Sequence, residues 1–170
     1  MTNESEFLGI SAGHLLKSMD RIEACVARLT PEQVWMRQSE NENAVGNLIL
    51  HLRGNVTQWL LCGVGGLEDR RDRDAEFNAR SGANVADLRS TVEQAAALIQ
   101  NLPPDRLVER IFPQGYDVTV LGAIYHVVEH FSGHTFQIIL LTKLFTHKDL
   151  GFYKHLSQGN AGAAPDPKLP

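Results

Sequence analysis

Cysteine is nearly absent from this chain. Only Cys25 and Cys62 occur in 170 residues, with no Cys-x-x-Cys spacing, so neither a disulfide framework nor a thiolate zinc site is suggested. Both read as small buried apolar groups. Basic blocks are missing as well. A formal net charge of -4 and a pI near 5.9 give no electrostatic footprint for nucleic acid or an acidic membrane surface. No apolar run approaches the roughly 20 residues needed to span a bilayer. The opening MTNESEFLGI lacks the basic start and apolar stretch of a signal peptide. A cytoplasmic protein with no nucleic-acid or membrane partner is expected, and no internal repeat is visible.

What is present is regular hydrophobic spacing. With 43% hydrophobic residues, 170 residues suffice for one domain with a real core. Leu8, Ala12, Leu15, Met19, Ile22, Val26 and Leu29 step by four and three, drawing one stripe along a helix. Val45, Leu48, Leu52, Val56, Trp59 and Cys62 draw a second. Val85, Leu88, Val92, Ala95, Ile99 and Leu102 draw a third, opened by Asn84 as N-cap with Asp87 at N3. Ile124, Val127, Phe131, His134, Ile138, Leu141 and Phe145 draw the fourth. Four amphipathic helices in so short a chain predict an all-α fold, a four-helix bundle over residues 1–155.

The connections fit that division. LTPEQ and LPPDR end helices with proline, and GVGG breaks the second. The link from Gly63 to Asn84 is long and charged, which predicts a crossover between helices two and three. RIFPQGYDVTV alternates like two short strands around Gln114-Gly115, a small β-hairpin before the fourth helix. Residues 156–170 are rich in Gly, Ala and Pro without periodicity and read as a flexible tail.

The chemistry concentrates in HVVEHFSGH, residues 126–134, where three histidines stand four apart. At 100° per residue the centre of the fourth stripe lies roughly 25° from His134, 65° from His130 and 105° from His126. His134 therefore takes a core position, His130 flanks it, and His126 turns toward the outside or a neighbouring subunit. His126 and His134 are about 12 Å apart along the axis, too far to share an ion held ~2.1 Å from each nitrogen. One metal takes one adjacent pair, and the stripe favours His130 with His134.

The same stretch contains H-x-x-E-H, a pattern of one zinc peptidase class. That reading needs His126 and His130 as ligands, Glu129 at the metal and an acidic ligand downstream. No glutamate follows Glu129, and Asp149 and Asp166 are the only later carboxylate side chains. Glu129 also points roughly 165° from the stripe. The peptidase reading is set aside.

A third ligand must come from another helix. His51 is the best candidate, with His14 a weaker substitute, while His147 and His155 follow the last helix and are expected in solvent. In GNLILHLRGNVTQW, His51 forms an i, i+4 ladder with Asn47 and Asn55, leaving a polar edge for three turns. Burying such groups without partners costs roughly 1–3 kcal/mol each, so a polar pocket is expected there.

These residues resemble the DinB-like (DinB/YfiT) superfamily. NLILHLRGN is similar to its helix-two signature, and HVVEHFSGHTFQI to its helix-four signature, typically His-x-x-x-His-Arg-Gly-Gln-Ile. The likeness runs from about residue 5 to 147. It implies a four-helix bundle with a divalent metal on His51, His130 and His134. Thr135-Phe136 replaces the commoner Arg-Gly, ahead of a retained Gln137 and Ile138. Some members resemble thiol-dependent transferases or a maleylpyruvate isomerase that uses low-molecular-weight thiols, which implies a small-molecule substrate and a low-molecular-weight thiol as partner. Pairing through helix faces is also implied; with Leu50, Leu61 and Ile139 lying off the stripes, a homodimer is expected.

Three neutral ligands leave an ion its full charge and an open position, so bound water can reach a pKa near 7 or a thiol can bind as thiolate. Imidazole suits several metals; zinc and nickel lead, with manganese and iron as further candidates. Asn47, Asn55 and His126 are candidates for orientation or substrate contact, Gln137 for a donor behind the ligands, and Tyr116 for the pocket mouth. No residue is singled out as catalytic. Two readings follow: a metal-dependent transferase using a thiol (or a metal-water hydrolase), and a non-catalytic metal or small-ligand binding module.

Overall fold

A computed structural model describes residues 2–154. The tail assigned to residues 156–170, and His155, lie outside the described residues.

The bundle is built from four long helical elements. Helix α1 (Asn3–Val26) is opened by a capping box in which Thr2 and Ser5 satisfy each other's backbone N–H groups. After a single turn, α2 (Pro31–Val34), comes α3 (Val45–Val56), continued without a break by a π-helical turn over Thr57–Cys62. Helix α4 (Arg73–Asn78) is short and lies within the crossover. Helix α5 (Val85–Gln100) is capped by Asn84, whose side chain accepts from the Ala86 N–H, and α6 (Val120–Thr146) is capped by Thr119.

Between α5 and α6, β1 (Arg110–Ile111) pairs antiparallel with β2 (Val118–Thr119), Arg110 opposite Thr119 and Ile111 opposite Val118. Gln114 holds a left-handed backbone, φ 54°, before Gly115 at φ 80°. The expected hairpin is thus present, with a tight helical turn at Pro113–Gly115 as its tip.

All four stripes face inward, the fourth with one exception at His134. Leu8, Ala12, Leu15, Met19 and Ile22 of α1 join Leu48, Leu52 and Val56 of α3 in one core, with Leu88, Val92, Ala95 and Ile99 of α5 and Ile124, Val127, Phe131 and Ile138 of α6. Burial of so many aliphatic side chains, each contributing about 1.5–3 kcal/mol, holds the bundle. Helix α1 packs chiefly on α5 and α6, and α3 on α5 and α6.

Several details differ from the sequence expectations. The fourth stripe departs at its middle: Thr135, not His134, fills the core position, 1% exposed, while His134 is half-buried. The Thr135 hydroxyl donates to the Phe131 carbonyl at 2.8 Å, as Thr142 does to Ile138, so both polar residues sit in the core with their hydrogen bonds made inside the helix. Ile139 is also buried, so it leaves no apolar surface for a partner. Among the described residues no helix is long and apolar enough to cross a membrane.

Candidate metal centre

His51 enters the site from the middle of α3, and His130 and His134 from consecutive turns of α6. The Nε2 of His51 and the Nε2 of His130 are 3.1 Å apart, and so are the Nε2 atoms of His134 and His130. One nitrogen from each of the three lies within 4.8 Å of the others, a group that could hold a metal ion. Nitrogens each ~2.1 Å from one ion stand roughly 3.0–3.4 Å apart in octahedral or tetrahedral coordination. Two of the three pairs already match that spacing.

The far sides of two rings are fixed. His51 Nδ1 meets Glu76 Oε2 at 3.0 Å, and His134 Nδ1 meets Gln137 Oε1 at 2.7 Å. A carboxylate and an amide oxygen only accept, so these contacts are made with a proton on both Nδ1 atoms, and Arg71 Nη2, 3.0 Å from His51 Nδ1, then donates to Glu76 Oε2 at 2.8 Å instead. Both Nε2 atoms then carry lone pairs aimed at His130 Nε2. A single proton there serves one neighbour and leaves the other unpaired, so the cluster has more acceptors than donors. A cation resolves that surplus.

Electrostatics favour neutral rings. Burial, reinforced by the neighbouring histidines His134, His51 and His126 and by Arg71, pushes His130 down to about 3. Burial also lowers His134, against the opposing effect of its hydrogen bond to Gln137. Both are thus lone-pair donors at neutral pH.

Behind His51 stands a buried ion pair. Arg71 donates from Nε to Glu76 Oε1 at 2.7 Å and from Nη2 to Oε2 at 2.8 Å, a bidentate fork. Burial raises the Glu76 carboxyl, but hydrogen bonds from Arg71 and His51 outweigh it and bring it below its ordinary value. Glu76 is therefore a carboxylate that orients His51, the arrangement that fixes ring and tautomer at metal-binding histidines. It is also an inward carboxylate that no hydrophobic periodicity in the charged crossover marks.

Local structure explains how Glu76 arrives. Asp72 caps α4 by accepting from the Ala75 N–H, and Asn47 Nδ2 reaches the carbonyls of Glu76, Phe77 and Ala79 at 2.9–3.2 Å. Asn47 Oδ1 in turn accepts from Arg37 at 2.5 Å. Asn47 thus ties α4 to α3 by satisfying its C-terminal carbonyls, and among the described residues it makes no hydrogen bond to a histidine of the triad. Gly54 completes the fit: a Cβ there would fall 1.9 Å from Glu76 Oε1 and 2.7 Å from Arg71 Nε.

The remaining candidates form a border. His126 does not turn outward; it packs on Trp59, ring centroids 4.1 Å apart, and is lowered by burial against the pull of Glu129. Tyr116 stacks on Trp59 at 6.1 Å and is largely exposed at the hairpin, next to the site. Gln137 presents its oxygen, so it accepts rather than donates. Asn55 is buried beside His51, with its Oδ1 unpartnered. His14 does not join the cluster, and His147 is exposed as the left-handed C-cap of α6. Thr135 supplies no charge to the site, since its hydroxyl faces the core.

Sequence reasoning missed Glu76, Arg71 and Gln58. Gln58 Oε1 accepts from Arg71 at 3.0 Å and from Gln114 of the hairpin tip at 2.5 Å, linking the hairpin to the ion pair. All but Gln58 lie in the charged crossover, where a six-residue helix is too short to show periodicity.

A helical bundle with a three-histidine cluster facing one point is therefore the class that fold and site define. The chain belongs to the family described as "Protein of unknown function (DUF1572)", which matches residues 3–159. No curated protein matches it. Among solved structures it is similar in fold to one described as "Crystal structure of the conserved protein of locus from Enterococcus faecalis", with a TM-score of 0.65 at 14% identity, over 82% of this chain and 96% of that one.

Proposed function

We propose that this chain is a DinB-like metalloprotein that holds a divalent ion on His51, His130 and His134 and acts as a cytoplasmic transferase, joining a low-molecular-weight thiol to a small molecule. The observation that carries this reading is the convergence of three ring nitrogens, two with lone pairs fixed by Glu76 and Gln137 behind them. Zinc and nickel suit this neutral imidazole set best, with manganese and iron as alternatives. When bound, such an ion supplies a nucleophile at neutral pH by lowering the pKa of a thiol or water.

The chain's own residues set the stage for that chemistry. Glu76, held by Arg71, keeps the Nδ1 proton of His51 in place, and Gln137 does the same for His134. Trp59, His126 and Tyr116 give one border of the site an aromatic wall suited to the apolar part of a small substrate. With three protein ligands and no fourth in the cluster among the described residues, a coordination position is left for the reactant; water there gives the hydrolase variant of the reading.

One observation favours a second reading, a non-catalytic binding module. Position 135, where the resembling motif carries arginine, is a threonine turned into the core, so no cation from that turn faces a reacting group. We also propose a homodimer.

The test is metal stoichiometry followed by turnover. Purified protein reconstituted with zinc or nickel should bind one ion per chain, and His134→Ala should bind none. Loss of free thiol, followed with a panel of small thiols and an electrophilic acceptor, should occur with wild type and not with the variant. A wild type that binds no metal overturns the reading; one that binds metal without turnover leaves the binding module.

A further inference from the structure

Each histidine of the triad has a second ring nitrogen that must find a partner once Nε2 is committed to a cation. His51 Nδ1 has Glu76 and His134 Nδ1 has Gln137. His130 Nδ1 is buried with no partner among the described residues. An acceptor is equally stranded nearby. Asn55 is only 4% exposed, its Oδ1 is buried and unpartnered, and its carboxamide makes no hydrogen bond among the described residues. Once Nε2 holds a cation the His130 proton sits on Nδ1, a buried donor without an acceptor beside a buried acceptor without a donor, and each loses free energy relative to water.

The two sit on facing turns. His51 meets His130 and, eight residues later on the same element, Trp59 meets His126. Numbers therefore rise along α3 as they fall along α6, and the helices are antiparallel. Asn55 lies midway between His51 and Trp59, four residues from each, and so on the same face. That places it at the level between His130 and His126. Side chains of a helix lean toward its N-terminus, so the His130 ring leans toward His126, into this level.

Resting on the metal reading above, we propose that Asn55 is the positioning residue of His130: its Oδ1 accepts a hydrogen bond from the His130 Nδ1–H when the three Nε2 atoms hold a cation. The triad then has three different oxygen acceptors behind it, a carboxylate on His51, a glutamine amide on His134 and an asparagine amide on His130. The first is charged and itself held by an arginine, whereas the other two are neutral. Asn55 would thereby have a role separate from Asn47, its neighbour in the ladder, which anchors α4.

The experiment uses the full chain and zinc alone. Zinc affinity, measured by competition with a chromophoric chelator, should fall about 10–100-fold in Asn55→Leu, the usual effect of removing a partner behind a metal ligand, and be recovered in Asn55→Asp, which retains the acceptor. In the zinc-loaded wild type labelled with 15N-histidine, the His130 Nδ1 proton should be slow to exchange and show a nuclear Overhauser contact to the Asn55 carboxamide protons. In Asn55→Leu that resonance alone should shift, with those of His51 and His134 unmoved. Unchanged affinity in a folded Asn55→Leu overturns the proposal while leaving the metal centre standing, and so does a His130 Nδ1 proton bonded to water. If Asn55→Leu does not fold, the wild-type contact decides: its presence supports the assignment and its absence overturns it. A wild type without zinc affinity overturns the metal reading and this inference together.

Discussion

His51 Nδ1 lies 3.0 Å from Glu76 Oε2, which joins the middle of a long bundle helix to a helix of six residues reached through a charged crossover. Glu76 in turn satisfies Arg71, whose side chain is 4% exposed. Removing one member of a buried pair strands the other, at a typical cost of about 3–5 kcal/mol. Glu76→Ala should therefore lower stability by an amount in that range and weaken metal binding about 10–100-fold. Urea unfolding and chelator competition measure the two. Equal stability in variant and wild type would mean that Arg71 finds another partner.

Gly54 gives a test in which the sign of the effect decides. Glycine to alanine inside a helix ordinarily stabilises by roughly 0.5–1 kcal/mol. Here the new methyl would meet Glu76 Oε1 at 1.9 Å and Arg71 Nε at 2.7 Å. Gly54→Ala is expected to destabilise instead, by about 1–3 kcal/mol as overpacking does, and to displace the ion pair from His51. A midpoint shift in urea toward higher stability would contradict the packing described.

How much of this was legible in the sequence depends on chain distance. The α1 residues Leu8, Ala12, Leu15, Met19 and Ile22 were readable as a face because a helix repeats its environment every three or four residues, and all five are buried. Thr135 was not, because its hydroxyl is satisfied by its own helix and a polar residue type hid a core position. That misplacement turned His134 too far inward, although its adjacency to His130 depended only on i, i+4 spacing. Glu76 was invisible for another reason. Its partner is 25 residues away on a different element, and nothing local in the charged crossover distinguishes this carboxylate from the other five from Glu68 to Asp87, or reveals that Gly54 leaves room for this one. The π-helical turn at Thr57–Cys62, which continues the second stripe, likewise has no periodic signature.

Acid should act on the contact between α1 and α5. Arg89 pairs with Glu23 and with Asp20, the latter at 2.7 Å. The hydrogen bond from Arg89 holds Glu23 below its ordinary value near 4.5, against the smaller opposing effect of burial. A carboxylate depressed in the folded state contributes stability that is fully present above the unfolded value and lost as pH falls through the folded one. The loss should therefore appear below about pH 4.5 and, since Glu23 is 38% exposed, should not exceed about 1 kcal/mol. Arg89→Met should flatten that part of the stability curve, as read by thermal unfolding at stepped pH. An unchanged curve would show the pair to be fully screened.

Self-association should involve a face other than the one expected from Ile139. Leu121, Tyr125, Phe136, Leu140 and Leu144 run along the exposed side of α6, each at least 43% exposed. An apolar stripe of this length is a candidate interface, and a second copy could cover it by an isologous contact. Light scattering of the wild type at micromolar concentration should give the mass of two chains, and Leu140→Asp the mass of one. A wild-type mass of one chain across that range would exclude the homodimer.

Removing the metal should separate a catalytic ion from a structural one. The core of α1, α3, α5 and α6 is built from apolar residues that do not include the triad, so the bundle does not depend on the ion for its burial. A ligand bound at 100 times its Kd adds about 2.7 kcal/mol, which for a chain of this size moves the melting temperature by roughly 5–10 °C. Chelation should therefore lower Tm by about that amount and leave the far-ultraviolet helical signal intact at 25 °C. His134→Ala should behave like the chelated protein and lose further stability only to its small cavity, because a half-buried imidazole contributes little to the core. In a structural site, binding free energy is folding free energy, and helix content would collapse with the metal. That collapse would rule out an open catalytic centre on this bundle and make the three histidines a staple between α3 and α6.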